Sequence, residues 1–380
     1  MTDPRLQSTD YGLPTPAPVR RPQITDHRLP TSDFWRGKRV LITGYTGFKG
    51  GWLSLWLSQM GAEVHGYALK PPTEPNFYTV SGLHSRLESS TIADIRDAET
   101  LTHKMKTVSP EIVLHLAAQP IVRYSYSAPV ETYAVNVMGT VNLLEAVRST
   151  SSVKAIVNVT TDKCYENREW ERPYTETDSL GGYDPYSSSK ACSELVTAAY
   201  RRSFLAPAGI QLASARSGNV IGGGDWAEDR LIPDFLRALD AGKTLKIRSP
   251  QSTRPWQHVL EPISGYLLLA QNLYNEGADF AEAWNFGPEE ADTYPVKWII
   301  EHLCNEVPNS AFICDEGLHQ HEANFLKIDS SKAKAKLGWY PHWNLHRALK
   351  KTLDWHQAWK KGLNMEEFSL SQISEYEEGR

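Results

Sequence analysis

The chain has 380 residues, 41% of them apolar and 22% charged, and a formal net charge of -5. That length fills one large core or two modest ones, and its basic residues are scattered rather than striped, so the phosphate-neutralising face of a nucleic-acid binder is missing. Cysteines 164, 192, 304 and 314 form no CxxC pair, and no apolar run approaches the roughly 18 residues a membrane span needs, so a cytoplasmic protein with no disulfide framework, metal site or membrane contact is expected.

Residues 1–32 carry Pro4, Pro14, Pro16, Pro18, Pro22 and Pro30 among polar residues, the composition of a disordered tail. From Arg39, short apolar runs alternate with longer periodic stretches: Val40-Leu41-Ile42, Trp52 to Met60, Val64 to Leu69, Ile112 to Leu116, then Ala155 to Thr160 and Gln211 to Arg216. This rhythm predicts an α/β fold, a doubly wound parallel sheet of Rossmann type over 33–217. Segments 129–148 and 185–204 read as helices, each opened by a proline near its first turn, where the missing N–H costs nothing. After Gly218 the texture changes, with Gly222-Gly223-Gly224 and a concentration of tryptophans. A smaller, interleaved substrate lobe is expected over 218–362, with part of 255–290 free to return to the first sheet, and 363–380 is read as a C-terminal tail whose acidic end, from about Glu375 to Arg380, is solvated.

The first strand runs into Thr43-Gly44-Tyr45-Thr46-Gly47-Phe48-Lys49-Gly50, three glycines spaced by three between a strand and a helix. Glycines there let the chain turn tightly, let backbone approach a pyrophosphate and let the helix pack on the sheet. A dinucleotide cofactor follows, with Gly44, Thr46, Gly47 and Phe48 as its first contacts. The acidic residue that usually holds the ribose hydroxyls is absent from Gly66-Tyr67-Ala68-Leu69-Lys70, which leaves NAD and NADP open, since Lys70 could meet a 2′-phosphate. Asp94, followed by Ile95, suits an adenine amino group; its alternative role is to cap a helix starting near Asp97.

At the end of the fifth strand stands Thr161-Asp162-Lys163, and a helix downstream opens with Tyr186-Ser-Ser-Ser-Lys190. A phenolate at neutral pH requires a shift of about three pKa units, or about 4 kcal/mol, and a lysine one helical turn away supplies a supporting charge. The YxxxK spacing alone is common; its position after the fifth strand of such a sheet gives it weight. Lys163 can act as a base only when neutral, and Lys190 nearby would push it that way.

Together TGYTGFKG, HLAAQP, NVTTDKCYEN, DPYSSSK, ARSGNVIGGGDW and RPWQHVLEP resemble the extended short-chain dehydrogenase/reductase family from about Phe34 to Trp359, and within it the NAD-dependent 4,6-dehydratases of CDP-sugars. The related dTDP-glucose enzymes read Thr-Asp-Glu where this chain has Thr-Asp-Lys. The resemblance implies NAD as cofactor, CDP-glucose as substrate and loss of water to a 4-keto-6-deoxy sugar of surface polysaccharide such as the O-antigen of lipopolysaccharide. It implies Tyr186, Lys190 and Thr161 at the sugar 4-hydroxyl, Lys163 as base at C5 and Asp162 as acid at the 6-hydroxyl. It further implies Leu116, Ala117 and Ala118 along the cofactor, Gln119 and Arg123 near cofactor and sugar, and Asn219 and Arg254 on the diphosphate. Tyr45 stands where close relatives are expected to carry histidine. A 4-epimerase needs the tyrosine and lysine without the adjacent acid and base, and a non-catalytic NAD-binding module needs neither; both remain as alternatives.

His115, inside an apolar strand, reads as a hydrogen-bonded core residue, the His342 and His346 spacing as chance, and Trp226 as core or lid. The helices over 129–148 and 185–204 are expected to face a second subunit, in a homodimer or a dimer of dimers.

Overall fold

Apolar runs too short for stable helices become the strands of one parallel sheet. The computed structural model describes residues 28–308, 310–315, 317 and 325–379, so most of the proline-rich segment lies outside the described residues. The strands are β1 (Arg39–Thr43), β2 (Glu63–Ala68), β3 (Ser89–Ile92), β4 (Ile112–His115), β5 (Ala155–Val159) and β6 (Gln211–Ser217). A seventh, Ala283–Phe286, pairs with β6, and the order across the sheet is Ala283–Phe286, β6, β5, β4, β1, β2, β3. All pairs are parallel. Strand order reverses between β1 and β4, and in such sheets a crevice opens at that point beyond the carboxyl ends of the strands.

Side-chain alternation gives the sheet two buried faces. Val40, Ile42, Ile112 and Leu114 point to one core, shared with Trp52, Trp56 and the helix Leu260–Glu276. Leu41, Val113 and Ile156 point to the other, closed by Leu143, Leu144 and Val147. Helix Leu260–Glu276 and strand Ala283–Phe286 therefore belong to the sheet although they follow Gly218 in sequence. Around them sits the second lobe, built on Ile232, Phe235, Ile299 and Leu349. Its short strands pair as Val220–Ile221 with Gln257–His258, Thr253–Arg254 with Tyr294–Pro295, and Leu245–Ile247 with Phe312–Cys314.

The two proline-opened helices form with local π turns: Pro129–Tyr133 continues through Ala134–Met138 into Gly139–Arg148, and Pro185–Tyr200 continues into Arg201–Leu205.

The structure corrects the solvated tail. Met365–Glu377 is a helix capped by Asn364, and Met365, Ser369, Gln372, Ile373 and Tyr376 form its buried stripe. These lie four, three, one and three residues apart, the spacing of one helix face, with the acidic residues mostly outward. Composition registered the acids and missed the stripe. Trp56 donates to Glu377 at 2.6 Å, tying this helix to the one that follows the glycine loop.

Candidate active site

A cleft of about 1370 Å³ runs along the carboxyl edge of the sheet, between the glycine loop and the second lobe. Each glycine of the loop meets a different constraint. Gly44 has a φ of 78°, and a Cβ there would sit 2.7 Å from the Ala117 nitrogen; one on Gly50 would sit 2.2 Å from the Gly44 carbonyl oxygen. Gly47 is different: a Cβ there would meet only the Gly44 carbonyl, at 3.4 Å. The protein does not forbid a side chain at Gly47, so its bareness toward the cleft fits the close approach of a ligand. Helix Phe48–Gln59 begins at this point with no side chain capping its amides. Free amides at a helix N-terminus bordering the cleft suit a dinucleotide diphosphate, and the residues present therefore fit such a cofactor.

Thr46 and Phe48 line the cleft with Leu69 and Lys70, as do Leu116, Ala117 and Ala118 opposite. Thr46 donates to the Leu69 carbonyl at 2.8 Å, which fastens the loop to the end of β2. Asp94 and Ile95 also border the cleft. Asp94 is gripped by Arg96, whose Nη2 lies 2.6 Å from Oδ2, and this bond holds the carboxyl below its usual range. The helix Ala98–Val108 is capped by Asp97, which accepts from Thr100 N, so Asp94 is not its cap. Tyr45 does not line the cleft; it is fully buried, its ring lying where a Cβ on Gly66 would clash at 2.6 Å.

At the other end lie the groups with acid–base chemistry. The chain leaves β5 into a short turn, Asp162–Cys164, capped by Thr161. Thr161 donates to Asp162 Oδ1 at 2.9 Å and accepts from the Lys163 amide at 3.3 Å. Asp162 is 1% exposed, and its Oδ2 has no hydrogen-bond partner among the described residues. Burial raises its pKa, while the charge of Lys163, the Thr161 hydroxyl, Arg254 and Lys49 pull it back. A buried acid whose pKa is raised, with one unpartnered oxygen and a place in the cleft lining, suits a proton donor.

Tyr186 and Lys190 reach the same corner from helix Pro185–Tyr200. Asp184 caps that helix through the Ser187 amide at 2.9 Å, and Pro185 sits at its first turn. Lys190 Nζ bonds the Val159 carbonyl at 3.4 Å, at the end of β5. Burial pushes Tyr186 up to about 12, opposed first by its hydrogen bond with Thr161, and depresses Lys190 to about 8. After Thr161, the charge of Arg230 helps the phenol, while the Lys190 ammonium bonds the strand end. Below β5 a buried pair, Arg216 and Glu194 at 2.7 Å, is closed by the Thr160 and Ser214 hydroxyls and fixes the strand ends.

Asn219, Arg123 and Arg254 all line the cleft. Arg254 is 4% exposed and faces the site, not the surface. Arg123 crosses to the second lobe, where it pairs with Asp229 at 2.6 Å. Gln119 is the exception: it does not line the cleft, because its amide is spent on Thr132 at 2.9 Å and on the Ile121 amide at 2.5 Å. Its bond to the Ile121 amide shapes the backbone that leads to Arg123. Trp226 lines the cleft, its ring edge-on to Trp355 and Trp359.

Sequence reasoning passed over two cations in this corner. Lys49 lay within the glycine motif, where attention rested on the glycines, and Arg230 in a loop with no motif of its own. Lys49 Nζ donates to the Ser217 hydroxyl at 3.0 Å and to Tyr266 at 3.4 Å. Arg230 is paired with Asp225 at 2.9 Å, and its charge favours ionised Tyr186.

His115 is buried, bonded to the Thr43 hydroxyl at 2.7 Å, and depressed to about 3 by burial, so it is neutral. His342 packs against Tyr376 while His346 packs against Trp298 and His302. Among the described residues no group of three or more His, Cys, Asp or Glu is placed to hold a metal, and no helix is long and apolar enough to cross a membrane.

Residues 41–352 match the family model described as GDP-mannose 4,6-dehydratase. A CDP-glucose 4,6-dehydratase of Salmonella typhimurium is 53% identical over 350 residues, covering 90% of this chain and 97% of that protein. A dTDP-glucose 4,6-dehydratase of Xanthomonas campestris is 26% identical over 88% of this chain and 98% of its own length. Among solved structures, the dTDP-glucose 4,6-dehydratase of Streptomyces venezuelae with NAD and TYD bound aligns with a TM-score of 0.72 at 24% identity, covering 85% of this chain and 98% of that one. A UDP-glucose 4-epimerase of Stenotrophomonas maltophila with bound NAD aligns at 0.74 and 21% identity, covering 85% and 99%. These two structures share the fold.

Proposed function

The chain belongs to the GDP-mannose 4,6-dehydratase family, and on that premise we propose that it is an NAD-dependent hydro-lyase that converts CDP-glucose to CDP-4-dehydro-6-deoxyglucose and water. The observation that carries this reading is Asp162: a buried acid with an unpartnered oxygen, beside Lys163 and in one corner with Tyr186. A 4-epimerase has no use for that acid.

Gly44, Gly47, Phe48, Asp94 and the Leu116–Ala118 segment would hold NAD, whose nicotinamide supplies the acceptor for hydride from C4 and its return to C6. The chain's own groups do the rest. Tyr186 takes the proton of the sugar 4-hydroxyl; burial pushes the phenol up to about 12, and its hydrogen bond with Thr161 and the charge of Arg230 are the groups that work against that rise. The resulting ketone acidifies C5. Lys163 removes the C5 proton while Asp162 gives its proton to the 6-oxygen, so the C6–O bond breaks and water leaves. Lys163 then returns its proton to C5. Asn219 and Arg254 hold the diphosphate, and the planar fork of Arg254 suits two phosphate oxygens. Arg123, held by Asp229, closes the sugar end.

The exposed Val130, Met138, Leu195 and Phe204 on the helices over 129–148 and 185–205 support a homodimer. A cytoplasmic site and a role for the product in deoxysugars of surface polysaccharide complete the proposal.

Purified protein incubated with CDP-glucose, dTDP-glucose and GDP-mannose, with and without added NAD, tests it. A 4-keto product from CDP-glucose is expected, with stimulation by NAD because the ribose carboxylate is missing. Inversion at C4 without loss of water would establish an epimerase instead.

A further inference from the structure

Lys49 leaves the glycine loop in a direction the motif does not explain. On the second residue of helix Phe48–Gln59 it could have turned to a diphosphate, yet its ammonium crosses the carboxyl edge of the sheet to Ser217 at the end of β6 and Tyr266 of helix Leu260–Glu276. Tyr266 also donates to Ser217 at 2.8 Å, so the three groups form a closed anchor. The next residue of that strand end is Gly218, and a Cβ built there would lie 3.1 Å from Asp162 Oδ2, the unpartnered oxygen. Lys49 is thus fastened beside the backbone against which the unpartnered oxygen of Asp162 is packed.

We infer that Lys49 is a positioning residue for the elimination step, a cation that acts on the leaving-group acid Asp162 across the Ser217–Tyr266 anchor rather than on the cofactor diphosphate. The inference rests on the dehydratase reading and deepens it. In that step the Asp162 carboxyl O–H bond breaks, its proton joins the sugar 6-oxygen and the C6–O bond breaks, so the acid must begin protonated. A fixed cation alongside opposes that by favouring the carboxylate. Lys49 is not a fixed cation: burial, Arg230 and Lys190 depress it to about 7, against the pull of Asp162. The charged groups facing it are Arg230, Lys190 and Asp162, with the Tyr266 phenol bonded to it; those facing Asp162 are Lys163, Arg254 and Lys49, with the titratable Tyr186, Tyr266 and Cys164 also within its field. Near neutrality Lys49 can release its proton to solvent in the cleft when Asp162 holds its own, and take one up from that solvent after the Asp162 proton has left in water. The two groups thereby stabilise the acid before water leaves and its conjugate base afterwards.

The test compares Lys49→Met, which removes the charge, with Lys49→Arg, which makes it permanent. With saturating NAD and CDP-glucose from pH 5.5 to 9, reduced cofactor at 340 nm reports C4 oxidation and the 4-keto-6-deoxy product reports elimination. Lys49→Met is expected to move the alkaline limb of elimination up by about one pH unit and Lys49→Arg to move it down, with the oxidation limb in place. Limbs that move together, or stay where they are, overturn the inference. A tenfold weaker NAD affinity with an unmoved limb reassigns Lys49 to the cofactor. Infrared titration of the Asp162 carboxyl, assigned by subtracting Asp162→Asn spectra, reads the same shift without turnover. An unmoved carboxyl in Lys49→Met overturns the role of Lys49, whereas a wild-type protein that makes no product from CDP-glucose overturns only the dehydratase reading.

Discussion

Two buried carboxylates, Asp162 and Glu261, divide the molecule between chemistry and architecture. Burial raises the pKa of both, Glu261 to about 7. Glu261 answers every demand: its oxygens accept from the Trp343 amide at 2.7 Å, the His342 amide at 3.0 Å and Tyr376 at 2.7 Å. That arrangement clamps the C-terminal helices to helix Leu260–Glu276. Asp162, which lines the cleft, has one oxygen satisfied by Thr161 and the other, buried, without a partner among the described residues. A shifted pKa therefore does not mark a functional group by itself; what sets Asp162 apart is a buried, unpartnered oxygen on a residue that lines the cleft.

The largest effect expected from breaking this contrast is at Tyr186→Phe. Without the phenol no group takes the 4-hydroxyl proton, and turnover should fall by about 10³-fold, with no rise in absorbance at 340 nm when substrate is added. Asp162→Asn should do something different. C4 oxidation survives, reduced cofactor accumulates, and product formation falls by about 10²-fold, while thermal stability changes little. Equal loss of oxidation and product in Asp162→Asn would show that Asp162 does not act at the leaving hydroxyl.

Glu261→Gln sharpens the other side. An acid raised from 4.5 to about 7 by folding gives stability that is complete below 4.5 and lost as pH rises toward 7. The wild-type protein should lose up to about 3 kcal/mol between those values from this group, and Glu261→Gln should lack that slope while keeping the pH profile of turnover. Denaturant unfolding at pH 5 and pH 8 measures it; identical slopes would place the pH dependence elsewhere.

Much of this division could be read from the residues, and the exceptions are instructive. The glycine loop, the strands and the Thr161–Tyr186–Lys190 corner are local: each depends on spacing along one strand, turn or helix. What escaped depends on contacts between distant segments. Gln119 looked like a ligand because it follows Leu116-Ala117-Ala118, yet a bond to Thr132 turns it inward. Lys49 looked like part of a phosphate loop, and only Ser217 and Tyr266, contributed by remote elements, show where its charge goes. The acidic C-terminus looked solvated because its buried stripe makes sense only against Trp56 and Glu261. The expected support of Tyr186 by Lys190 rested on helical spacing, which fixes proximity of the two residues but not the direction of the ammonium.

The smallest predicted effect is at Tyr376→Phe, which removes one of the three donors to Glu261 together with a 3.1 Å bond between the Tyr376 and Ser264 hydroxyls. That hydrogen bond lowers the Glu261 pKa, so its loss should raise it and extend the pH window of destabilisation upward. Below pH 4.5 both forms carry a protonated Glu261 and should differ least. At pH 8 the variant must ionise Glu261 with two donors in place of three, at a cost of about 1 kcal/mol. A Tyr376→Phe protein that is destabilised equally at pH 4 and pH 8 would mean that the hydroxyl contributes through Ser264, and that the hydrogen bond to the acid is incidental.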